Sequence, residues 1–211
     1  MIDTPDITGV VLAGGRGSRM GGVDKGLQLF RGRALAHHAL LRLQPQVGAA
    51  VLNANRHLPA YAAFGVPVWP DGLSDFPGPL GGFLTGLQHC ATGWLLTVPC
   101  DTPLFPHDLT ARLARAADAA QADIAIAAAP ETDDAAGTTV LRRQPVFCLM
   151  RTTVQGSLHD YLQSGGRKIG TWLAQHTCAV AAFDQPGDAP HAFANANTLA
   201  ELHSLEQGAH P

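Results

Sequence analysis

Residues 12–25, Leu-Ala-Gly-Gly-Arg-Gly-Ser-Arg-Met-Gly-Gly-Val-Asp-Lys, constrain this chain more than any other stretch. An apolar run over residues 7–12 leads into them and reads as a buried β-strand. The segment then gathers five glycines, two arginines and one lysine with no hydrophobic periodicity, and so reads as a loop. Bare backbone N–H groups beside fixed positive charge suit a polyphosphate. Glycine permits positive φ and close approach, and the cations neutralise the oxygens. A nucleoside triphosphate is the ligand class this points to.

Two other phosphate loops are excluded by spacing. The dinucleotide fingerprint requires G-x-G-x-x-G, whereas Gly15, Gly17 and Gly21 are spaced G-x-G-x-x-x-G. The P-loop requires Gly-Lys followed by Ser or Thr, whereas Lys25 stands between Asp24 and Gly26. An NAD-dependent oxidoreductase fails on the same glycine spacing.

Strand-like and helix-like segments alternate along the chain. Strands are predicted over residues 7–13, 49–52, 66–69, 94–98 and 123–128, and helices over 32–43, 81–90 and 108–119. This βαβ alternation predicts an α/β fold with a mostly parallel sheet between helical layers. The second half is less regular. Residues 138–141 and 146–150 read as extended segments flanking Arg142-Arg143-Gln144-Pro145, 158–163 and 169–176 as helices, and 178–183 as a strand. Residues 198–205 form the last helix, capped by Asn197 or Thr198. The polar stretch 130–137 is expected to be a mobile loop, and the tail 208–211 to fray. With no repeat and no linker, residues 1–211 are expected to form one domain.

Composition narrows the class of partner. Only 15% of residues are charged against 46% hydrophobic, which describes an ordered globular chain. A net charge of −3 without a basic run argues against nucleic acid. No stretch reaches the roughly 18 apolar residues of a membrane span, and the N-terminus lacks a signal peptide's pattern. Cys90, Cys100, Cys148 and Cys178 are too dispersed for a zinc or redox motif, and the ten histidines form no ligand constellation. The expectation is a cytoplasmic chain with buried, reduced thiols, and no membrane partner.

Gly14, Asn53, Asp71 and Asp101 each follow an apolar run. In an open parallel sheet, ligands collect beyond the carboxyl ends of the strands, so four segments would deliver polar residues to one rim. A carboxylate there, such as Asp101 between Pro99 and Pro103, suits Mg²⁺, which takes one or two carboxylates and leaves the remaining positions to phosphate and water. Turn formation is an equally good local reason for Asp101 and the better local reason for Asn53 and for Asp71, which precedes Gly72. Lys25 is the strongest candidate for the phosphates. Arg19 offers a planar fork suited to phosphate oxygens and to a leaving group's charge, and Arg16 is a weaker candidate.

The loop resembles the nucleotidyltransferase pattern L-A-G-G-x-x-x-R-M-G-x-x-K, and its R-M-G-G-V-D-K form is narrower still. With Asn53-Ala-Asn-Arg-His57, Asp71, Pro77-Gly-Pro-Leu-Gly-Gly82, Pro99-Cys-Asp-Thr-Pro103 and Asn195-Ala-Asn-Thr198 in order, nearly the whole chain resembles the molybdenum cofactor guanylyltransferases. The resemblance implies a Rossmann-like three-layer sandwich with a mostly parallel, mixed central sheet of the nucleotide-diphospho-sugar transferase type. It implies a GTP site made by Leu12, Ala13, Gly14, Gly15, Lys25, Asn53, Asp71 and Asp101, with Asp101 the Mg²⁺ ligand and Lys25, Asp101 and Arg19 catalytic. Asn195 and Asn197 resemble a motif near the acceptor, where Asn197 is also a candidate for a second metal position. Two departures stand out. Thr198-Leu-Ala-Glu201 replaces Thr-Pro-Glu-Glu, and Gln144-Pro145 stands where His-Pro is common, which removes support for an acceptor contact there.

The implied reaction transfers GMP from GTP to the terminal phosphate of molybdopterin, or molybdenum-molybdopterin, with release of pyrophosphate. The nucleophile is already an anion, so no strong general base is needed. The implied partners are GTP, the pterin and, transiently, proteins that deliver or receive the cofactor, and a monomer is expected. The alternatives are cytidylyl transfer to molybdopterin, nucleotidyl transfer to a sugar phosphate, and a non-catalytic GTP-binding or cofactor-carrier protein.

Overall fold

A computed structural model describes residues 1–15, 23–72, 78–133 and 138–207. Seven strands form one sheet: β1 (Ile7–Leu12), β4 (Ala49–Asn53), β5 (Val68–Trp69), β6 (Trp94–Pro99), β7 (Ile124–Asp133), β8 (Thr138–Arg151) and β9 (Cys178–Ala182). A separate ribbon pairs β2 (Leu29–Phe30) with β3 (Arg33–Ala34). The helices are α1 (Leu35–Leu43), α2 (Leu58–Ala62), α3 (Pro79–His89), α4 (Leu109–Ala120), α5 (Gln155–Gln163), α6 (Ile169–Leu173) and α7 (Leu199–Gln207).

The sheet order is β5-β4-β1-β6-β8-β7-β9. All neighbours are parallel except β8, which runs antiparallel to both β6 and β7. The strands are apolar on both sides because helices cover both faces. Val11, Leu52, Leu96 and Leu149 pack with α1 and α4 on one face. Their neighbours Val10, Val51, Leu95 and Met150 pack with α3, α5 and α6 on the other. That period-two division across one sheet produces the three layers.

Topology places the site. From β1 the chain steps outward to β4 and β5, then returns to build β6 on the opposite side of β1. The carboxyl ends of β1 and β6 therefore flank the topological switch point, where a ligand crevice opens. Leu12 is in register with Asn53 on one side and Pro99 on the other.

Several sequence expectations need correction. The first helix begins at Leu35 rather than Gly32, because Arg31 (φ 48°) and Gly32 (φ 75°) make the two-residue turn of the β2–β3 ribbon. The segments 138–141 and 146–150 are one strand, β8. Residues 130–133, expected in a mobile loop, extend β7 and pair with β8, while 134–137 and the tail 208–211 lie outside the described residues. The helix expected to reach His176 ends at Leu173. Thr198 caps α7 by accepting from the Glu201 N–H at 3.1 Å, and Glu201 reaches back to the Asn197 N–H at 2.6 Å. That reciprocal pairing compensates for the missing proline.

The register between β7 and β8 shifts so that Ile126 faces Cys148 but Ala127 faces Gln144, leaving Pro145, Val146 and Phe147 as a bulge. Proline is tolerated there because a bulge leaves its residues out of the ladder. Thr97 Oγ1 donates to the displaced Val146 carbonyl at 2.7 Å. Among the described residues, no helix is long and apolar enough to cross a membrane.

Close packing of α3 on the sheet depends on Gly82, where an added Cβ would lie 2.6 Å from both Asn53 Oδ1 and Leu12 Cδ2. Asn53 is held by its own hydrogen bonds and cannot swing aside. Gly82→Ala is therefore expected to cost about 1–3 kcal/mol in urea or thermal denaturation. Gly170→Ala, at a helical position with open space, is expected to be neutral or to stabilise by up to about 1 kcal/mol. Equal stability of the two variants would contradict this packing.

Candidate active site

A cleft of about 310 Å³ opens at the carboxyl ends of β1, β4 and β6. Leu12, Ala13, Gly14, Gly15, Lys25, Asn53, Asp71 and Asp101 all line it, as does Asn195. Residues from five separate stretches are thus brought to one rim. Arg16 and Arg19 lie outside the described residues.

On one wall, Lys25 Nζ donates to Asp101 Oδ2 at 2.6 Å and to Asn197 Oδ1 at 2.9 Å. Lys25 opens a short 3₁₀ turn, Lys25–Leu27, capped by Asp24, whereas Asp101 stands two residues past the end of β6. Both side chains of the ion pair remain about one-fifth exposed (21% each), so each can be reached from the cleft. The C-terminal segment closes the same wall. The Ala196 N–H donates to the Asp101 carbonyl at 2.9 Å, and Thr102 Oγ1 donates to Asn195 Oδ1 at 2.6 Å. Both asparagines therefore bond the Lys25–Asp101–Thr102 corner directly.

The opposite wall is built on Asp71. Asn53 Nδ2 donates to Asp71 Oδ1 at 2.8 Å and also to the Trp69 carbonyl at 2.9 Å. Asn55 and Asp71 exchange two bonds, Nδ2 to Oδ2 and backbone N–H to Oδ1, each 2.7 Å. Thr85, buried in α3, adds a longer donation to Asp71 Oδ1 at 3.3 Å. Several donors on one carboxylate fix the direction in which it points. Asn55 and Thr85 are absent from the set chosen by sequence. Asn55 lies two residues past Asn53 in the same string, and Thr85 is a hydroxyl on the otherwise apolar interior of α3, so each carried a weak signal.

Backbone groups divide the loop's work. The Ala13 N–H donates to the Asn53 carbonyl at 2.8 Å, and the Leu12 carbonyl accepts from the Cys100 N–H at 3.1 Å. Those groups are committed to the sheet, so the departure of the chain begins at Gly14. A Cβ on Gly14 would meet Asn55 Nδ2 at 2.8 Å, which explains glycine at that position.

The far side of the cleft is formed by the β8 bulge, which brings Gln144, Pro145, Val146 and Phe147 to its lining. Gln144 Nε2 donates to Glu131 Oε1 at 2.7 Å across the β7–β8 pair, so its amide is already engaged. Beneath the floor, Cys100 is buried, and burial together with the adjacent Asp101 charge holds its thiol well above the usual range. The thiol stays protonated and supplies no nucleophile.

Among the described residues, no group of three or more His, Cys, Asp or Glu side chains forms a metal cage. The local donor set is one carboxylate, Asp101, with the amide oxygens of Asn195 and Asn197 nearby. Few, hard oxygen donors fit a small divalent cation that retains water and shares phosphate oxygens. A thiolate- or imidazole-preferring metal does not fit.

Residues 9–209 match the model of the MobA-like NTP transferase domain. Over 206 residues the chain is 71% identical to the molybdenum cofactor guanylyltransferase of Acidovorax ebreus, covering 98% of each sequence. It is 70% identical, with the same coverage, to the protein of that name from Acidovorax sp. strain JS42. The fold is similar to that of a solved molybdopterin-guanine dinucleotide biosynthesis protein A from Archaeoglobus fulgidus, with a TM-score of 0.73 at 20% identity over 95% of this chain and 97% of that one. With the glycine loop, the switch-point cleft and full-length similarity in agreement, the chain belongs to the molybdenum cofactor guanylyltransferase family of MobA-like nucleotidyltransferases.

Proposed function

We propose that the chain transfers GMP from GTP to the terminal phosphate of molybdopterin, free or carrying molybdenum, and releases pyrophosphate. The single observation that carries this reading is the 2.6 Å contact between Lys25 and Asp101 at the switch point, beside the glycine loop. A cation for phosphate and a carboxylate for a divalent metal meet where a polyphosphate-binding loop leaves the sheet. An oxygen of the acceptor phosphate attacks the α-phosphorus of GTP, the bond to the bridging α–β oxygen breaks, and pyrophosphate departs with that oxygen. The acceptor oxygen is already anionic, so positioning and charge neutralisation carry the catalysis.

In this reading Lys25 leaves Asp101 for the phosphates as the nucleotide enters, and the backbone at Gly14 and Gly15 approaches the same oxygens. Asp101 would hold the Mg²⁺, with Asn197 near enough to join it; the bound ion would neutralise charge on the phosphates. Arg19 is assigned to the leaving pyrophosphate. The wall of Asn53 and Asp71 receives the nucleoside, where a fixed carboxylate suits the N1–H and amino donors of guanine. Asn195 and Asn197 face the acceptor side. We read the chain as one domain acting as a monomer in the cytoplasm. Its four free thiols support a reducing compartment.

Label from α-labelled GTP is expected to move to a pterin product, while γ-label leaves as pyrophosphate. If the α-label stays in guanine nucleotide and none reaches a pterin product, the transfer reaction is wrong. In the same assay, Asp101→Asn is expected to keep the wild-type melting curve and lower kcat by at least about 10²–10³-fold. Wild-type turnover in that variant removes Asp101 from the reaction. Asp71→Leu is expected to weaken GTP binding by about tenfold or more, because the acceptor for the base is lost. It should leave binding of inorganic pyrophosphate unchanged, as read by isothermal titration; equal losses for both ligands would contradict the assignment of this wall to the nucleoside.

A further inference from the structure

One segment, residues 55–61, grips both described ends of the glycine loop. At the first end, Arg56 Nη2 donates to the Gly15 carbonyl at 3.1 Å and Asn55 Nδ2 lies 3.4 Å from the Gly14 carbonyl. At the second end, the Tyr61 hydroxyl donates to Asp24 Oδ1 at 2.6 Å. Between the two grips the chain turns through His57, whose φ of 49° is a left-handed conformation uncommon for a non-glycine residue. That turn opens α2 and carries Tyr61 to Asp24.

The pairing of Tyr61 with Asp24 is buried. Tyr61 has no exposed surface and Asp24 only 7%. Such a carboxylate requires donors, and two meet one oxygen: the Tyr61 hydroxyl and the Gly26 N–H at 3.2 Å. Asp24 and Gly26 bracket Lys25, so both neighbours of the lysine are tied to the same buried atom. A Cβ on Gly26 would sit 2.4 Å from the Tyr61 oxygen, so only glycine lets the backbone settle onto the hydroxyl. Burial and the hydrogen bond to Asp24 both hold the Tyr61 hydroxyl protonated, and therefore able to donate.

We propose that Tyr61 is a positioning residue for the nucleotidyl transfer: through Asp24 it fixes the turn that aims the Lys25 ammonium at the triphosphate. The inference rests on the reading that Lys25 meets the nucleotide's phosphates. A lysine stem has four flexible carbons, so its reach is set largely by where its Cα is held. A displacement of about 1 Å at such a group is enough to lower turnover by about two orders of magnitude.

A double-mutant cycle on the full chain tests this, with Mg²⁺ and GTP as the probe in isothermal titration and GTP-dependent pyrophosphate release as the rate. Tyr61→Phe retains the ring that packs edge-on against Phe64 and removes only the hydroxyl. Alone it is expected to weaken GTP binding or lower kcat/KM by about tenfold or more, since a buried charged acceptor loses a donor. In a Lys25→Met background the same change is expected to add less than about twofold, because the two residues act as one unit. Should Tyr61→Phe fail to fold, Asp24→Ala carries the same cycle with the tyrosine intact. An unchanged Tyr61→Phe enzyme, or an equal loss in both backgrounds, would show that Tyr61 only supports packing. Wild-type chain that does not bind GTP, or Lys25→Met that binds it as tightly as wild type, would instead remove the functional reading and this inference with it.

Discussion

The ion pair between Lys25 and Asp101 joins residues 76 positions apart, and the rest of the site is arranged around it. Neither group sits there by local preference alone. Lys25 is set by a capped turn whose cap is buried, and Asp101 by its place two residues past the end of β6. A carboxylate and an ammonium gathered at one rim neutralise one another until a more highly charged ligand divides them. In the proposed reading a Mg²⁺-bound triphosphate would be such a ligand, since it would offer anionic oxygens to the lysine and a cation to the carboxylate. The pair is partly exposed, so separating it exchanges one solvated contact for two and leaves no charge stranded in the interior.

The sheet supplies that rim through its topology. Because β4 and β6 grow on opposite sides of β1, three consecutive strands end together, and their following residues converge without any long loop. Asp71 shows how the same principle stiffens the opposite wall. Donors from β4, from the turn after it and from α3 meet one carboxylate, so three elements must be in place before it is fixed. The antiparallel β8 then brings its bulge across the cleft, where a purely parallel strand would have run past it.

Much of this was legible in the sequence because buried parallel strands are continuous apolar runs and because the polar residues that follow them stand out. Strands β1, β4, β6 and β9 fall where the alternation puts them, and Gly14, Asn53, Asp71 and Asp101, which follow apolar runs, line one cleft. Short elements were not legible. The β2–β3 ribbon has two residues on each side, and α2 has five, too few for a period to register. Nor does a linear pattern reveal that 130–133 and 138–151 form one long antiparallel pair, since that depends on a return of the chain. Tyr61 is the sharpest omission. In sequence it is one aromatic in an Ala-rich stretch. Only the fold sets its hydroxyl against a buried aspartate next to Lys25.

A crystal structure of the chain with Mg²⁺ and a non-hydrolysable GTP analogue bears most directly on this account. It should find Lys25 Nζ withdrawn from Asp101 and bonded to a phosphate oxygen, the metal on the Asp101 carboxylate, and the purine against Asp71. Phosphates lying away from Lys25, with its 2.6 Å contact to Asp101 unbroken, would contradict it.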